Sequence, residues 1–318
     1  MSSAWDGLIN DKTKTELPHY AVSKKLPADS YFTSSDTAKR CMSIVNKVLP
    51  ERPVVTWPPT TSEEYIYVEP AAGEGAFYDL FPSDRKVGIE LHDRKREEFI
   101  QTDFLTWYPD QENKYVVIGN PPFGVRGAIA LAFINRSLLF ADYVAFILPM
   151  SFHSNGKGSN MKRVQNGHLI HSEIMENESF FSPDTNKYIK INSLFQVWKR
   201  GIGKSLFPTI DVSEFANIYT VCSSPDRLCG LNKIGVYDFY VSSTFFGNSL
   251  HTVYNFDDVK YGSGYGIILK KCKNKIMEQI KNVEWNNYSS LATNSCKHIR
   301  KHWIEKCLYD LGFGQEKT

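Results

Sequence analysis

The most constraining stretch of the sequence is an apolar run that ends in two consecutive prolines. Residues 115–118 read Tyr-Val-Val-Ile, which predicts a short buried strand, and Gly119 ends it. The next four residues are Asn120, Pro121, Pro122 and Phe123. Each proline fixes its own φ angle and lacks an N–H donor. The segment therefore predicts a stiff turn at the carboxyl end of a strand.

This turn leaves hydrogen-bond acceptors free for a bound group. The proline carbonyls and the side-chain oxygen of Asn120 can accept hydrogen bonds, and the ring of Phe123 lies directly beside them. Such a turn can take the hydrogens of an exocyclic amine while Phe123 stacks on the ring that carries the amine. A proline-rich turn that only ends a strand is the other interpretation of the same residues.

A second strand with a glycine turn precedes this one in the chain. Residues 65–68 predict the strand, Glu69 ends it, and Gly73 and Gly75 follow, with a helix expected after them. Glycine permits positive φ angles and close approach of a ligand to the backbone. Dinucleotide-binding folds use a similar arrangement, but they carry a third glycine that this chain lacks. A Rossmann dehydrogenase is the competing interpretation.

Other segments predict the rest of an α/β sheet. Residues 86–91 form a strand ending near Glu90, where a carboxylate about 20 residues after a glycine turn can bind ribose hydroxyls. Residues 99–105 end a third strand and residues 143–149 form a fifth. Since strands alternate with helices, the sheet should be mostly parallel.

Two flanking segments complete this region. Asp36 is the expected N-cap of a helix that carries apolar residues at helical spacing, and residues 126–140 form a second helix. Residues 173–175 and 193–198 predict two strands, with Phe180 and Phe181 in the loop between them. Residues 50–61 contain four prolines and are expected to be a linker.

Asn-Pro-Pro-Phe after an apolar strand resembles the catalytic motif of the S-adenosylmethionine-dependent amino-methyltransferases, above all the N6-adenine methyltransferases of DNA. Over residues 31–200 the motif order is similar as well: covering segment, cofactor loop, ribose acid, adenine acid, catalytic turn and closing hairpin. Extra sequence at the end resembles the subgroup with a C-terminal target-recognition region. The chain departs from the family at Ser34, where the family usually has proline.

The resemblance implies S-adenosylmethionine as the cofactor and assigns roles to individual residues. Glu69 would pair with its ammonium, Glu90 with its ribose, and Asp103 with its adenine amino group. The implied cofactor-binding residues are Phe32, Thr33, Glu69, Ala71, Gly73, Gly75, Glu90, Leu91, Asp103, Phe104 and Asn120. The implied catalytic residues are Asn120, Pro121, Pro122 and Phe123. Phe123 and Phe181 would stack on the target base, with Phe180 as the alternative to Phe181.

The implied fold is a Rossmann-like α/β class I methyltransferase with a mostly parallel seven-stranded sheet and a closing antiparallel hairpin. Residues 1–30 would be an N-terminal arm, residues 31–200 the catalytic domain, and residues 201–318 a smaller α+β recognition region. In that region, residues 237–241 and 265–269 predict strands.

Residues 270–307 contain an excess of positive charge and several possible metal ligands. Nine Lys or Arg residues stand against three Glu in residues 270–306. This excess could neutralise phosphates or form a solvated helix face. Cys296, His298, His302 and Cys307 lack a Cys-x-x-Cys partner, so no metal site is expected.

The composition of the chain indicates where in the cell we expect the protein. It has no run of 18 apolar residues, so no membrane-spanning helix is expected. The first residues do not resemble a signal peptide, and the six cysteines are widely scattered, as in a reducing compartment. We expect a cytoplasmic protein of a bacterial or virus-infected cell. The net charge of +2 does not indicate or exclude nucleic acid.

The function expected from the resemblance is methylation of N6 of a flipped-out adenine at specific sites in double-stranded DNA. Restriction–modification is the implied setting, with a cognate restriction endonuclease that acts separately on the same site as the implied partner. The main alternative is an RNA N6-adenine methyltransferase acting on ribosomal or small nuclear RNA. Methylation of cytosine N4 or protein glutamine, and an inactive nucleic-acid-binding homologue, are weaker alternatives.

Overall fold

The computed structural model describes residues 31–49, 65–93, 95–109, 113–156, 158–182, 186–224, 235–247, 250–291 and 296–317. The chain divides into two compact units. One consists of the residues up to Phe152 together with Arg163–Leu206, and the other of His153–Lys162 and the residues from Phe207 onward. The expected arm and proline-rich linker lie outside the described residues. The predicted catalytic domain, residues 31–200, and recognition region, residues 201–318, are defined by function and stay predictions.

The first unit is built on an eight-stranded sheet. Its strands are β1 Phe32–Thr33, β2 Ile66–Glu69, β3 Lys86–Glu90, β4 Phe99–Gln101, β5 Tyr115–Gly119, β6 Tyr143–Pro149, β7 Gly167–Ser182 and β8 Lys187–Arg200. Their order across the sheet is β1-β7-β8-β6-β5-β2-β3-β4.

The sheet is mixed, which corrects the expected seven-stranded design. Strands β6, β5, β2, β3 and β4 pair in parallel, whereas β8 is antiparallel to both β6 and β7. The expected closing hairpin is therefore present as β7 and β8. The eighth strand, β1, pairs antiparallel with the edge strand β7. A strand of two residues is too short to show an alternating pattern of apolar and polar residues, so the sequence did not predict β1.

The described residues of this unit form two α-helices, α1 Ser35–Val48 and α2 Ala128–Ser137. The N-cap of α1 is Ser34, whose hydroxyl oxygen accepts a hydrogen bond from the Thr37 N–H at 3.2 Å. The predicted N-cap, Asp36, was wrong and lies in the first turn, where a carboxylate is favourable near the helix N-terminus. The buried side of α1 packs on the sheet through Ala38, Cys41 and Val45.

Strands and helices do not alternate throughout, contrary to the prediction. Among the described residues, an α-helix connects only β5 to β6 of the parallel strands. The glycine turn after β2 leads into a 3₁₀ helix, Tyr78–Leu80, instead of the predicted α-helix. Pro82 disfavours the helical conformation of the residue before it, and Phe81 is accordingly extended, with φ −77° and ψ 155°. Too few residues remain between the turn and Pro82 for an α-helix.

Burial explains why β5 is central. All five residues of Tyr115–Gly119 are buried, which is typical of a parallel strand covered on both faces. Val116 and Ile118 belong to the same apolar cluster as Ala145 and Ile147 of β6 and the buried side of α1. The strand that carries the Asn-Pro-Pro-Phe turn is thus fixed in the core.

The second unit has α+β composition. Its strands are β9 Ile210–Asp211, β10 Ala216–Cys222, β11 Phe239–Ser242, β12 Thr244–Phe246, β13 Ser263–Leu269, β14 Ser290–Leu291, β15 Cys296–His298 and β16 Gln315–Glu316, and its helices are α3 Lys273–Ile280 and α4 Lys301–Asp310. They form sheets of order β10-β13-β11 and β12-β15-β14 and a β16-β9 pair. The strands predicted at residues 237–241 and 265–269 correspond to β11 and β13. In the described part of the chain, no helix is long and apolar enough to cross a membrane.

Gly88 is expected to tolerate no side chain. A Cβ atom there would lie 2.5 Å from Cδ1 of Phe99 and 3.1 Å from Cδ2 of Tyr78. Gly88→Ala should lower the free energy of unfolding by about 1–3 kcal/mol because it overpacks this contact. Urea unfolding can be followed by ¹⁹F NMR of fluorotryptophan at Trp198, a buried residue of the same unit. Gly156→Ala, whose Cβ would lie 3.5 Å from its nearest neighbour, is the control. A Gly88→Ala protein as stable as the wild type would contradict this account.

Candidate active site

The Asn-Pro-Pro-Phe turn and the glycine turn lie side by side because their strands are neighbours. The chain runs from β2 to β3 and β4 on one side, then returns to β5 and β6 on the other. Strands β2 and β5 pair in parallel, with Val68 opposite Val117, so both turns lie at their carboxyl ends. A Cβ atom on Gly119 would lie 3.2 Å from Cδ of Pro70. Open α/β sheets bind ligands at such a reversal of strand order.

Asn120 presents an unpaired acceptor. Its Nδ2 donates to the backbone carbonyl of Tyr31 at 3.4 Å, while its Oδ1 is buried and has no hydrogen-bond partner among the described residues. A buried acceptor without a donor is costly and needs an explanation, and a donor on a bound ligand is one such explanation. The bond to Tyr31 holds the amide nitrogen of Asn120 in place. It therefore also fixes the orientation of the side chain and the position of Oδ1.

The turn itself is held from its far end. The carbonyl of Phe123 accepts hydrogen bonds from the N–H groups of Ile129 at 3.2 Å and Ala130 at 3.3 Å, in the first turn of α2. Gly124 has φ +66°, and a Cβ there would lie 2.5 Å from Cγ1 of Ile129. Together with the prolines, these contacts fix the position of Asn120.

A small cavity lies beside Asn120. It has a volume of about 10 Å³ and is lined by Tyr31, Asn120, Pro121, Phe123, Phe180 and Ile191. Such a volume holds about one water molecule. A purine is much larger, so its entry here requires the lining side chains to move. Neither Tyr31 nor Ile191 was identified from the sequence, because their roles depend on pairing between distant segments.

Phe180 and Phe181 take different positions, since successive strand residues face opposite sides. The segment predicted to be a loop here is the end of β7. Phe180 is 2% exposed and lines the cavity with Asn120. Phe181 instead stacks on Phe32, with ring centroids 6.4 Å apart and planes 12° apart. The structure therefore places the alternative residue, Phe180, beside the Asn-Pro-Pro-Phe turn.

The covering segment is a strand that reaches the glycine turn. Phe32 pairs with Phe181, and half-buried Thr33 pairs with Phe180. A Cβ atom on Gly73, which has φ +53°, would lie 3.0 Å from the ring of Phe32. Phe32 thus covers the glycine turn, and Gly73 leaves room for its ring.

Glu69 is bound to the backbone of its own turn. It is 2% exposed, and its Oε2 and Oε1 accept hydrogen bonds from the N–H groups of Tyr78 at 2.7 Å and Phe77 at 3.4 Å. Burial raises the pKa of this carboxyl well above its ordinary value, while the two amide bonds act in the opposite direction. The structure thus shows a loop-fixing contact for Glu69, and its predicted contact with an ammonium group stays a prediction.

Glu90 is joined to the same turn from the neighbouring strand. Its Oε2 accepts a hydrogen bond from the Gly73 N–H at 2.8 Å, and its Oε1 accepts one from the His92 N–H at 3.1 Å. Leu91 follows with 58% of its side chain exposed. A carboxylate and an accessible apolar surface are therefore adjacent at the carboxyl end of β3.

The remaining predicted cofactor residues differ in accessibility. Ala71 is half-buried in the turn, and Asp103 is exposed, with Oδ1 accepting a hydrogen bond from the Leu105 N–H at 2.9 Å. Phe104 is 2% exposed and packs against Phe133, with ring centroids 5.1 Å apart. Asp103 can be reached by a ligand, whereas Phe104 belongs to the core.

Arg96 supports the glycine turn, and this role was not predicted from the sequence. Its guanidinium donates to the carbonyl of Glu74 at 2.8 Å and to both carboxylate oxygens of Asp79. A Cβ on Gly75, which has φ +85°, would lie 2.4 Å from Arg96 Nη1. Arg96 therefore holds the glycine turn from outside, and hydrogen bonding to Asp79 raises its pKa.

The basic stretch of the second unit is partly neutralised. Lys271 pairs with Glu214 at 2.6 Å and Lys273 pairs with Asp238 at 2.5 Å, whereas Lys297 donates only to the uncharged amide of Asn286. The local excess of positive charge is therefore not a continuous free surface. Among the described residues, no group of three His, Cys, Asp or Glu side chains could hold a metal ion.

Comparison with known proteins gives only weak similarity. No protein-family model matches the chain, and no curated protein matches it in sequence. A structure described as a candidate RNA methyltransferase from Pyrococcus horikoshii is 14% identical, with a TM-score of 0.40, over 59% of this chain and 95% of that one. A Thermoplasma acidophilum protein is 14% identical, with a TM-score of 0.35, over 59% and 97%. The 23S rRNA methyltransferase ErmE is 16% identical, with a TM-score of 0.34, over 54% and 70%. Similarities at this level carry no weight for function.

Glu69 is expected to make the stability of the first unit depend on pH. Because its pKa is raised in the folded protein, its contribution is fully present below the ordinary value of 4.5 and is lost as pH rises through the folded-state pKa. The free energy of unfolding should therefore fall with increasing pH above about 4.5, and Glu69→Gln should flatten this slope. Urea unfolding at several pH values, followed by the ¹⁹F signal of fluorotryptophan at Trp198, measures this free energy.

Glu74→Gln is the matched control, because Glu74 is an exposed carboxyl of the same turn. This variant should keep the wild-type slope. A Glu69→Gln protein with the wild-type slope would show that burial of this carboxyl does not govern the pH dependence.

Proposed function

We propose that this protein transfers a methyl group from S-adenosylmethionine to the exocyclic N6 amine of adenine in a nucleic acid. The observation that carries the proposal is the buried, unpaired Oδ1 of Asn120, held by a rigid turn at the reversal of strand order. An acceptor in this position matches the need of an amine for a partner that takes its hydrogens.

The residues around the glycine turn fit the proposed cofactor. Glu90 would contact the ribose, Leu91 would pack against the adenine ring, and Asp103 would accept from the adenine amino group. The exposed side chain of Leu91 and the accessible Asp103 support this arrangement. Phe32 would cover the cofactor next to Gly73. When bound, the cofactor supplies an activated methyl group on a positively charged sulfur.

Asn120 would act by accepting and orienting the amine of the target base. The lone pair of an adenine amine is delocalised into the ring, which makes the amine a poor nucleophile. Hydrogen bonds from the amine to Asn120 Oδ1 and the Pro121 carbonyl would draw its hydrogens out of the ring plane. The nitrogen lone pair would then point away from these acceptors. Because the acceptors are already in place, little reorganisation is needed during the reaction.

The target base must reach the cavity by leaving its stack, because a strand end enclosed by side chains cannot contact a base inside a helix. Phe123 on one face and Phe180 on the other would stack on the extruded base. Stacking on aromatic side chains is worth about 1–3 kcal/mol per base, which offsets part of the unstacking cost. Movement of Tyr31, Phe123 or Ile191 would open the cavity.

Double-stranded DNA is the substrate expected from the sequence, with a modification enzyme of a restriction–modification system as the specific form. RNA is the second substrate class. The site geometry is the same for both, since each presents the same adenine amine once the base is extruded.

Transfer of tritiated methyl groups from S-adenosylmethionine to duplex DNA, single-stranded DNA and structured RNA tests the proposal. Digestion to nucleosides and mass spectrometry should identify N6-methyladenine. Preferential labelling of RNA would select the second substrate class. Label in N4-methylcytosine or in protein, or no label with any nucleic acid, would overturn the proposed reaction.

Asn120→Ala should lower kcat by about 100-fold or more, by analogy with the loss of one preorganised hydrogen-bonding group. Binding of S-adenosylmethionine, measured by calorimetry, should change little. Asn120→Asp should retain intermediate activity, because it keeps an acceptor but loses the donor to Tyr31. Equal activity of Asn120→Ala and the wild type would refute the role of this side chain.

Phe32→Ala should raise KM for S-adenosylmethionine by roughly tenfold, since stacking contacts of this kind are worth about 1–3 kcal/mol. It should also lower kcat, because Phe32 anchors the strand next to Tyr31. Steady-state kinetics measure both effects. Phe246→Ala, a half-exposed phenylalanine of the second unit, is the control. Unchanged kinetics of Phe32→Ala would exclude Phe32 from the cofactor site.

A further inference from the structure

The end of the β7–β8 hairpin carries an exposed aromatic ring between two lysines. Tyr188 is 69% exposed, and Lys187 and Lys190 are exposed as well. Ile189 between them is half-buried, pairs with Phe180 and packs on the core. The backbone of this segment is thus anchored beside the cavity, while Tyr188 projects outward.

Tyr188 continues a row of aromatic rings that starts at the glycine turn. Phe32 lies against Gly73 and stacks on Phe181. Phe181 pairs with Tyr188 across the hairpin, and their ring centroids are 5.5 Å apart in an edge contact. The row therefore leads from the proposed cofactor site to the protein surface.

The two lysines supply positive charge on either side of the ring. Among the side chains that the structure describes, Lys187 and Lys190 have no partner in an ion pair or a hydrogen bond. Arg40, by contrast, pairs with Glu173 further along β7 at 2.7 Å. An exposed ring flanked by cations is the combination that binds unpaired nucleic-acid strands.

We propose that Lys187, Tyr188 and Lys190 form a contact surface for an unpaired nucleic-acid strand. Tyr188 stacks on a base close to the target base, and the lysines neutralise backbone phosphates. Both faces of a base inside a duplex are already covered, so the ring requires a base that has lost a stacking neighbour, as next to an extruded nucleotide. This inference rests on the proposed function and names the form of the substrate at its site.

The first test compares two single-stranded probes by fluorescence anisotropy. One is oligodeoxythymidylate of about 20 nucleotides, longer than a typical single-strand site, and the other is an abasic phosphate chain of the same length. Tyr188→Ala should weaken binding of the base-bearing strand by about tenfold and leave binding of the abasic chain unchanged. Tyr254→Ala, an exposed tyrosine of the second unit, is the control and should bind both probes like the wild type.

The second test measures the charge contribution. For the double variant Lys187→Ala and Lys190→Ala, the slope of log K against log salt concentration should become shallower by roughly 1.4, about 0.7 for each phosphate contact to a single strand. Tyr188→Ala should keep the wild-type slope. Lys39→Ala is the control, because Lys39 is exposed on α1 of the same unit.

Wild-type affinity in both Tyr188→Ala and the lysine double variant would overturn the inference. The inference would also be overturned if the variants changed only thermal stability, because Tyr188 would then pack against the chain itself. A change only in the molar mass measured by light scattering would overturn it as well, because Tyr188 would then contact a second copy. Methyl transfer with unchanged binding by these variants would reject this surface alone. The predicted binding changes without methyl transfer would reject the proposed reaction and retain the surface.

Discussion

The arrangement of the site depends on the parallel pairing of β2 and β5. Val68 lies opposite Val117, and the next residues bring Gly119 against Pro70. A side chain on Gly119 would crowd this contact. Because the strands are buried and in register, the glycine turn and the Asn-Pro-Pro-Phe turn have fixed positions next to one another. The remaining elements of the site, including β1 and the β7–β8 hairpin, are added around this pair.

Two polar side chains at this edge, buried Glu69 and half-buried Asn120, have opposite hydrogen-bond status. Glu69 is satisfied by two amide N–H groups of its own turn and so stabilises the backbone. Asn120 has one end bound to Tyr31 and its oxygen without a partner. The first arrangement builds the site, and the second leaves an acceptor for a ligand. This difference distinguishes supporting residues from those that can contact substrate, although both types were predicted from similar sequence motifs.

Local patterns in the sequence predicted the strands and the two turns, because β5 is uniformly apolar and glycine and proline have strong backbone preferences. The same patterns did not predict the loss of the helix after Gly75, which depends on Pro82, or the two-residue strand β1. The positions of Phe180 and Phe181 also required the structure, since adjacent residues change faces when a loop becomes a strand. Tyr31, Arg96 and Ile191 act through contacts between distant segments, for which a single sequence has no signal.

The central claim is that the unpaired oxygen of Asn120 accepts a hydrogen bond from the amine of an extruded adenine. A crystal structure with a non-reactive cofactor analogue and a bound oligonucleotide tests it most directly. The account predicts the adenine amine nitrogen within about 2.7–3.2 Å of Asn120 Oδ1, with the base between Phe123 and Phe180. A bound base elsewhere, or a closed cavity with Asn120 still unpaired beside the analogue, would contradict it.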